Sequence, residues 1–231
     1  MEYIIASLGI ASLMFGITAI LRNFKEKTYI AFLFFTLSLS AWTFNNYYLH
    51  PSPPLEVIRV SYSLTVIMAM MYLIWIYFFL KRNIPKFFFY LVIPAFIVLI
   101  YITASTDFII KELYSTSAIG FDGQLGQYYF LFTTFFTLVI FSSLYYLIQG
   151  RIHSTSVAEK KNITVVIWGI SLFALNSFSV DFWIPRVFGK LHYSLFDNIG
   201  FLILLSCMAY VMLRRVPAED YREVDSAYKN M

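Results

Sequence analysis

The chain has 231 residues, of which 60% are hydrophobic, 20% aromatic and only 13% charged, with a mean hydropathy of +0.71. A soluble domain carries about 25% charged residues, so this composition excludes an ordinary soluble protein and indicates a membrane protein. The net charge of +4 does not indicate a nucleic-acid partner, because the basic residues lie in short segments between apolar runs. The single cysteine, Cys207, excludes an intrachain disulfide and is interpreted as a packing residue.

Seven apolar runs follow one another along the chain, each long enough to cross the ~30 Å hydrocarbon core of a membrane as a helix. They predict an all-α membrane protein, a seven-transmembrane helix bundle over residues 1–215 in the cell membrane, with a short cytoplasmic tail at 216–231. The predicted spans cover residues 3–21, 29–49, 57–80, 87–105, 127–149, 163–180 and 193–213.

The distribution of basic residues predicts the orientation of this bundle. When the loops are assigned alternately to the two sides, thirteen lysines and arginines fall on one side and four on the other. The side richer in basic residues faces the cytoplasm in membrane proteins, which places the N-terminus outside and the C-terminus inside. The four outer residues are Arg59, Lys111, Arg186 and Lys190.

Small residues and a proline predict local features of two spans. Gly9, Ser12 and Gly16 recur at helical spacing in the first span and form a stripe on which another helix can pack closely. Pro94 lies inside the fourth run and is expected to kink that helix, because proline lacks the amide hydrogen of the helical ladder.

The longest outer loop covers residues 106–126. It combines an amphipathic piece, DFIIKEL, with a turn-rich piece, STSAIGFDGQLG. Ordered loops of this length are typically lids or binding loops, so we expect it to cover a site at the outer face.

Asp197 is the only acidic residue well inside an apolar run, about 8 Å below the outer end of the last span if that helix is regular. A carboxylate at this depth needs water, a donor or a cation. We therefore predict a site in the outer half of the bundle, where polar residues meet a head group and Met68, Phe201 and Trp168 meet an apolar tail. The candidate ligand-binding residues are Asp197, Arg59, Tyr62, Trp42, Asn45, Asn176, Trp168, Phe201 and Tyr193.

Structural interpretations compete with this site. Asp197 could serve an interhelical hydrogen bond that fixes the bundle, and Asn45 with Asn46 could form a hydrogen-bonded helix end. Arg59 lies near the outer edge, where arginine either extends to the head groups or pairs with a buried acid. Met68 fits adaptable core filling as well as a ligand surface.

The residue types argue against catalysis, a metal site or a cofactor. All nine lysines lie outside the apolar runs, which excludes a retinal Schiff base. His50, His153 and His192 are isolated, so no zinc-ligand spacing exists, and the chain carries neither a serine-hydrolase elbow nor a phosphate-binding glycine loop. We therefore expect no enzymatic activity.

A sensor, a transporter of small solutes or lipids, and a structural membrane subunit remain. Transporters place polar or broken-helix positions near the midplane, often as matched pairs in two halves of the chain. Here Pro94 has no counterpart and the polar residues of the spans lie towards the outside. This pattern favours a sensor.

The chain resembles the N-terminal seven-helix sensor region of bacterial and archaeal membrane histidine kinases. The likeness covers the whole bundle, and it lies in Trp42 with Asn45, Gly126 with Tyr128, Lys160-Lys161 before Gly169, Asp197, Gly200-Phe201, Ala209-Tyr210 and Arg214. The resemblance implies a receptor for an unknown, amphipathic ligand that acts on a cytoplasmic kinase or another signalling protein, and by analogy a homodimer. Such kinases continue into PAS, dimerisation and ATP-binding domains, which this sequence lacks, so we expect a stand-alone sensor or an input domain.

Overall fold

The computed structural model describes residues 2–47, 54–117, 120–179 and 194–214, and within these ranges it leaves the side chains of 2–4, 47, 113–117, 120–125 and 194–197 undescribed. The predicted apolar runs are helical wherever they are described. The helices are α1 (Glu2–Arg22), α2 (Lys27–Tyr47), α3 (Leu55–Phe79), α4 (Ile93–Ser105), α5 (Tyr129–His153), α6 (Val157–Phe178) and α7 (Ser194–Arg214). The predicted tail at 216–231 lies outside the described residues.

Five helical segments are long and apolar enough to cross a membrane, as expected for a multi-pass membrane protein. They are Ile5–Arg22, Leu55–Phe79, Phe88–Ser105, Tyr129–His153 and Val157–Phe178. Two of the seven predicted spans are not among them. The apolar stretch described in α7, Asn198–Arg214, is shorter. In α2 the mean hydropathy is lowered by hydroxyl and amide side chains, among them Thr36, Ser40 and Asn46, which are buried against other helices.

The small-residue stripe of α1 packs against α2, as predicted. Ser40 donates a hydrogen bond of 3.0 Å to the carbonyl oxygen of Gly9. A Cβ atom added at Gly16 would overlap the side chain of Thr36, and one at Gly9 would lie 3.2 Å from the ring of Phe44. The two backbones therefore approach each other as closely as glycine allows.

The helices form one packed bundle with α3 at its centre. α3 contacts α2, α4 and α5, while α6 packs on α5 and α7, and α7 also contacts α1. The larger core cluster includes Phe32, Trp75, Ile170 and Met208. A second cluster between α3, α4 and α5, on the side of the loop that joins α4 to α5, includes Tyr62, Phe96, Ile109 and Phe132.

The irregularity predicted at Pro94 is a change of helix type. Residues Phe88–Val92 form a π-helical turn, and α4 begins at Ile93 with Pro94 in its first turn. A proline ring would collide with the carbonyl group four residues earlier in a regular α-helix. The π-helical turn directly before Pro94 widens the backbone there, which makes room for the proline ring within a continuous helix.

The loop between α4 and α5, predicted to lie outside, contains a β-hairpin, which the sequence analysis did not predict. β1 (Ile110–Ser117) pairs antiparallel with β2 (Gly120–Leu125). The register shifts twice along the ladder, between Ile110 and Glu112 and between Leu113 and Ser115. These irregularities break the two-residue alternation by which a strand is recognised in a sequence.

Candidate functional site

The C-terminal end of α2 and the N-terminal end of α3, predicted to lie outside, are joined by a chain of hydrogen bonds, here named the polar clasp (Asn45, Asn46, Ser61). The Asn45 amide donates to the Ser61 hydroxyl at 2.6 Å and to the Val57 carbonyl oxygen at 3.0 Å. Ser61 in turn donates to Asn46 Oδ1 at 2.6 Å, and both of these side chains are buried. Asn45 thus takes part in the hydrogen-bonded helix end that was the structural alternative for it.

Arg59 connects α3 to the hairpin. Its guanidinium group pairs with the Asp107 carboxylate and donates a hydrogen bond of 3.2 Å to the Ile110 carbonyl oxygen. The Arg59 side chain is only 12% exposed, whereas that of Asp107 is 70% exposed. The acid that pairs with Arg59 therefore lies in the outer loop. We call these contacts the hairpin tether.

Tyr62 belongs to an aromatic contact between α3 and α5. Its ring centroid lies 5.0 Å from that of Phe132 and 6.4 Å from that of Tyr129. Tyr62 is buried in the cluster that also holds Phe96 and Ile109 at the base of the hairpin. It packs there rather than in the cluster that contains Phe201.

Two predicted site residues, Trp42 of α2 and Phe201 of α7, are in contact, and a third, Asn176 of α6, lies against the neighbouring Gly200. The Phe201 ring lies 5.0 Å from the Trp42 ring and 4.7 Å from the Phe173 ring. A Cβ atom at Gly200 would lie only 2.8 Å from the Asn176 amide nitrogen, so Asn176 fits against a glycine of α7. A side chain at position 200 would therefore require Asn176 to shift.

Trp168 does not share this place and does not line the cavity described below, so its assignment to the apolar tail site stays a prediction. Its side chain is 63% exposed, whereas its neighbour Gly169 faces α7, where an added Cβ atom would lie 2.8 Å from Cys207 Cβ. Successive residues of an α-helix differ in direction by about 100°, so the two cannot face the same partner. Trp168 therefore lies on the exposed face of α6, away from the bundle.

Two further predicted residues cannot be placed. Tyr193 lies outside the described residues. Asp197 is in α7, one helical turn before Phe201, but its side chain belongs to the undescribed part. Its contacts remain a prediction.

An apolar cavity of about 30 Å³ lies in the middle of the bundle and is partly open. Its lining includes Phe35 of α2, Met68 and Tyr72 of α3, Ile140 of α5, Phe173 of α6 and Phe201 of α7. Met68 and Phe201 are two of the three residues that the sequence analysis assigned to a ligand tail. Phe35 and Tyr72 were missed, because nothing in an apolar run distinguishes a cavity-lining aromatic residue from a core one.

The described residues contain no group of three or more His, Cys, Asp or Glu side chains that could hold a metal ion. No protein-family model, curated protein or solved structure matches the chain. The resemblance to histidine-kinase sensors therefore stays a prediction.

Proposed function

We propose that the protein is a membrane sensor that binds an amphipathic ligand in its outer half and passes a helix movement to a cytoplasmic signalling partner. The observation that supports this most is the central cavity. Its lining side chains come from α2, α3, α5, α6 and α7 at once, so an occupant would change the spacing of five helices together.

The proposed ligand site joins the cavity to the polar positions above it. The apolar tail would lie among Met68, Phe173 and Phe201, and Trp42 and Asn176 would border the path outwards. Asp197, one turn further out on α7, would meet the head group. The hairpin, held over the outer ends of the helices by the hairpin tether, would cover the site.

α7 is the element proposed to carry the movement. Phe201, in the first half of α7, borders the cavity. Near the end of α7, the Met212 carbonyl oxygen accepts a hydrogen bond of 3.4 Å from the Tyr29 hydroxyl of α2. A shift of Phe201 would be transmitted to this contact because a helix moves as a rigid element. The receiving protein would be a cytoplasmic kinase or another signalling protein, and the sensor would act as a homodimer.

The proposal includes seven spans, with α2 and α7 completing the five apolar segments, the N-terminus outside and the C-terminus in the cytoplasm. In a Cys207→Ala background, a membrane-impermeant maleimide added to intact cells is expected to label Ser117→Cys and not Ser154→Cys. Permeabilisation should make the second cysteine reactive and serves as the control. Labelling of Ser154→Cys alone in intact cells would reverse the orientation.

Asp197→Asn tests whether the carboxylate serves signalling or packing. The substitution keeps the size and a hydrogen-bonding group, so the unfolding temperature should stay within a few degrees of that of the unchanged protein. Spin labels at positions 81 and 214 would report the spacing of the cytoplasmic ends of α3 and α7. We expect native membrane lipid extract, compared with a pure synthetic phosphatidylcholine, to change this distance, and Asp197→Asn to abolish the change.

Glu56→Gln, at an exposed position in the first turn of α3, makes the same acid-to-amide change outside the proposed site and should keep the response. A sharp fall in the unfolding temperature of Asp197→Asn with an unaltered distance change would mean that the carboxylate is structural. Transport of a solute into proteoliposomes that Asp197→Asn abolishes would favour a transporter instead.

A further inference from the structure

The short connection between α3 and α4 carries three cations, Lys81, Arg82 and Lys86. In the predicted orientation it lies at the cytoplasmic surface of the membrane. The Lys81 ammonium group lies 3.9 Å from the Glu159 carboxylate of α6, in an exposed ion pair. Arg82 and Lys86 pair with no acidic side chain in the part of the chain that the structure describes. Two positive charges at this end of the bundle are thus left without a counter-charge there.

The end of α3 fixes the position of Arg82 through the backbone. Lys81 has a φ of 54°, the left-handed conformation in which helices commonly end. Its amide donates a hydrogen bond of 3.0 Å to the Phe78 carbonyl oxygen. The Arg82 amide donates one of 2.9 Å to the Tyr77 carbonyl oxygen. These two bonds turn the chain back over the last turn of α3, so Arg82 is held beside the helix that it follows.

Arg82 lies on an aromatic surface to which α3, α5 and the π-helical turn contribute. Its guanidinium carbon is 5.8 Å from the centroid of the Tyr146 ring of α5. The Tyr77 ring of α3 lies 5.0 Å from that of Tyr146 and 5.8 Å from that of Phe88. α5 can approach so closely because Gly150, one turn after Tyr146, leaves no room for a Cβ atom against the C-cap residue of α3.

Exposed apolar side chains continue this surface along α4 and α5. Phe89 is 53% exposed, and its ring centroid lies 6.2 Å from that of Phe88. Tyr145 is 60% exposed and contacts the Tyr146 ring at 5.6 Å. Leu91, at the end of the π-helical turn, is also exposed. A cation beside exposed aromatic and apolar groups fits the boundary between lipid head groups and acyl chains.

The charges and the apolar surface together define the occupant. A guanidinium group offers a fork of donors that matches phosphate, and it also stacks on aromatic rings. A soluble phosphate would leave the neighbouring apolar surface uncovered, whereas a phospholipid covers it with its acyl chains. A zwitterionic head group would bring a cation of its own, and Glu159 is already engaged by Lys81 and by the Ser154 hydroxyl. These features favour an anionic phospholipid.

We propose that Arg82, assisted by Lys86, binds the phosphate of an anionic phospholipid such as phosphatidylglycerol. The acyl chains lie along the exposed sides of α4 and α5. This site is at the opposite end of α3 from the hairpin tether, and it does not rest on the proposed function.

The test uses the purified protein in detergent with phosphatidylglycerol and phosphatidylcholine that carry identical acyl chains. Native mass spectrometry counts the lipids that the protein retains. We expect the unchanged protein to retain phosphatidylglycerol in preference to phosphatidylcholine. Arg82→Gln removes the charge and should weaken the retention of phosphatidylglycerol about fivefold, the effect of one arginine at an anionic head group. Lys86→Gln is a second, independent variant that should weaken it in the same direction.

The matched control is Arg151→Gln, which removes the same charge at the same end of the bundle. Arg151 is exposed near the end of α5, where its Nε donates a hydrogen bond of 2.9 Å to the Thr164 hydroxyl. Its replacement should leave the retention of phosphatidylglycerol unchanged. In phosphatidylcholine alone, Arg82→Gln should unfold within a few degrees of the unchanged protein, because the hydrogen bonds that hold residue 82 belong to the backbone.

Three results would overturn the proposal. One is equal retention of the two lipids by the unchanged protein, which needs no variant. Another is an equal loss in Arg82→Gln and Arg151→Gln, which would mean that only the general positive charge of this surface matters. The third is displacement of phosphatidylglycerol by excess inorganic phosphate, which would indicate a site for a soluble anion. None of these results bears on the signalling proposal, which keeps its own test.

Discussion

Gly126→Ala is expected to lower the free energy of unfolding by about 3 kcal/mol, the upper part of the range for overpacked sites. An added Cβ atom would overlap backbone atoms of Asp107 and Phe108, which cannot move aside as the end of a side chain can. The Gly126 amide also donates a hydrogen bond of 2.8 Å to the Ile109 carbonyl oxygen at the base of the hairpin. Titration with a denaturing detergent, followed by circular dichroism, would measure the loss.

The same substitution should loosen the hairpin tether, because Asp107 is one of the residues that must shift. Limited proteolysis from the outer side should therefore cleave 106–126 faster in Gly126→Ala than in the unchanged protein. Gln127→Ala, at the exposed neighbouring position, is the control and should change neither measurement. Equal stability of Gly126→Ala and Gln127→Ala would show that the close approach at Gly126 is not required.

Phe201→Ala is expected to lower the free energy of unfolding by about 3 kcal/mol, the lower limit for removing a phenylalanine from a packed core. The Phe201 ring is 5% exposed and contacts the rings of Trp42 and Phe173, so its removal takes away contacts that α7 makes with α2 and with α6. It would also enlarge the central cavity. Detergent-induced unfolding would measure the cost, and binding of apolar probes of increasing size would measure the enlargement.

Leu202→Ala is the matched control for this prediction. Leu202 follows Phe201 on α7, but its side chain is 44% exposed on the surface of the helix. Its truncation removes few packed neighbours and should cost less than about 1 kcal/mol. If both substitutions lower the free energy of unfolding equally, the Phe201 ring does not hold α7 against α2 and α6 as its contacts imply.

The positions of the helices could be predicted because each membrane span needs an apolar run of about its own length. The composition of α2 shows the limit of this signal. Its hydroxyl and amide residues lower its mean hydropathy, yet Ser40 and Asn46 are used in contacts with α1 and α3. Hydropathy counts such residues as unfavourable, whereas a helix enclosed by others can satisfy them.

The candidate site could be predicted only in part, for a physical reason. Helical spacing tells which residues share a face, as for Asp197 and Phe201, which are one turn apart, but it does not tell which face meets which helix. Trp168 was predicted to face protein, whereas its side chain is largely exposed and its neighbour Gly169 faces α7. The pairing of Arg59 with Asp107 joins residues 48 positions apart through a hairpin whose strands the sequence did not reveal.

The interrupted fourth helix has a consequence for the lipid around the protein. The segment Phe88–Ser105 has 18 residues, whereas α3 and α5 have 25 each, which corresponds to about 27 Å against about 37 Å at the α-helical rise. α4 is also the least enclosed of the five apolar segments. The bundle thus presents an edge with hydrophobic mismatch, where the surrounding leaflets must thin or the exposed Lys86 must extend towards the head groups. A change in the acyl chain length of the surrounding lipid is therefore expected to affect the protein first at α4.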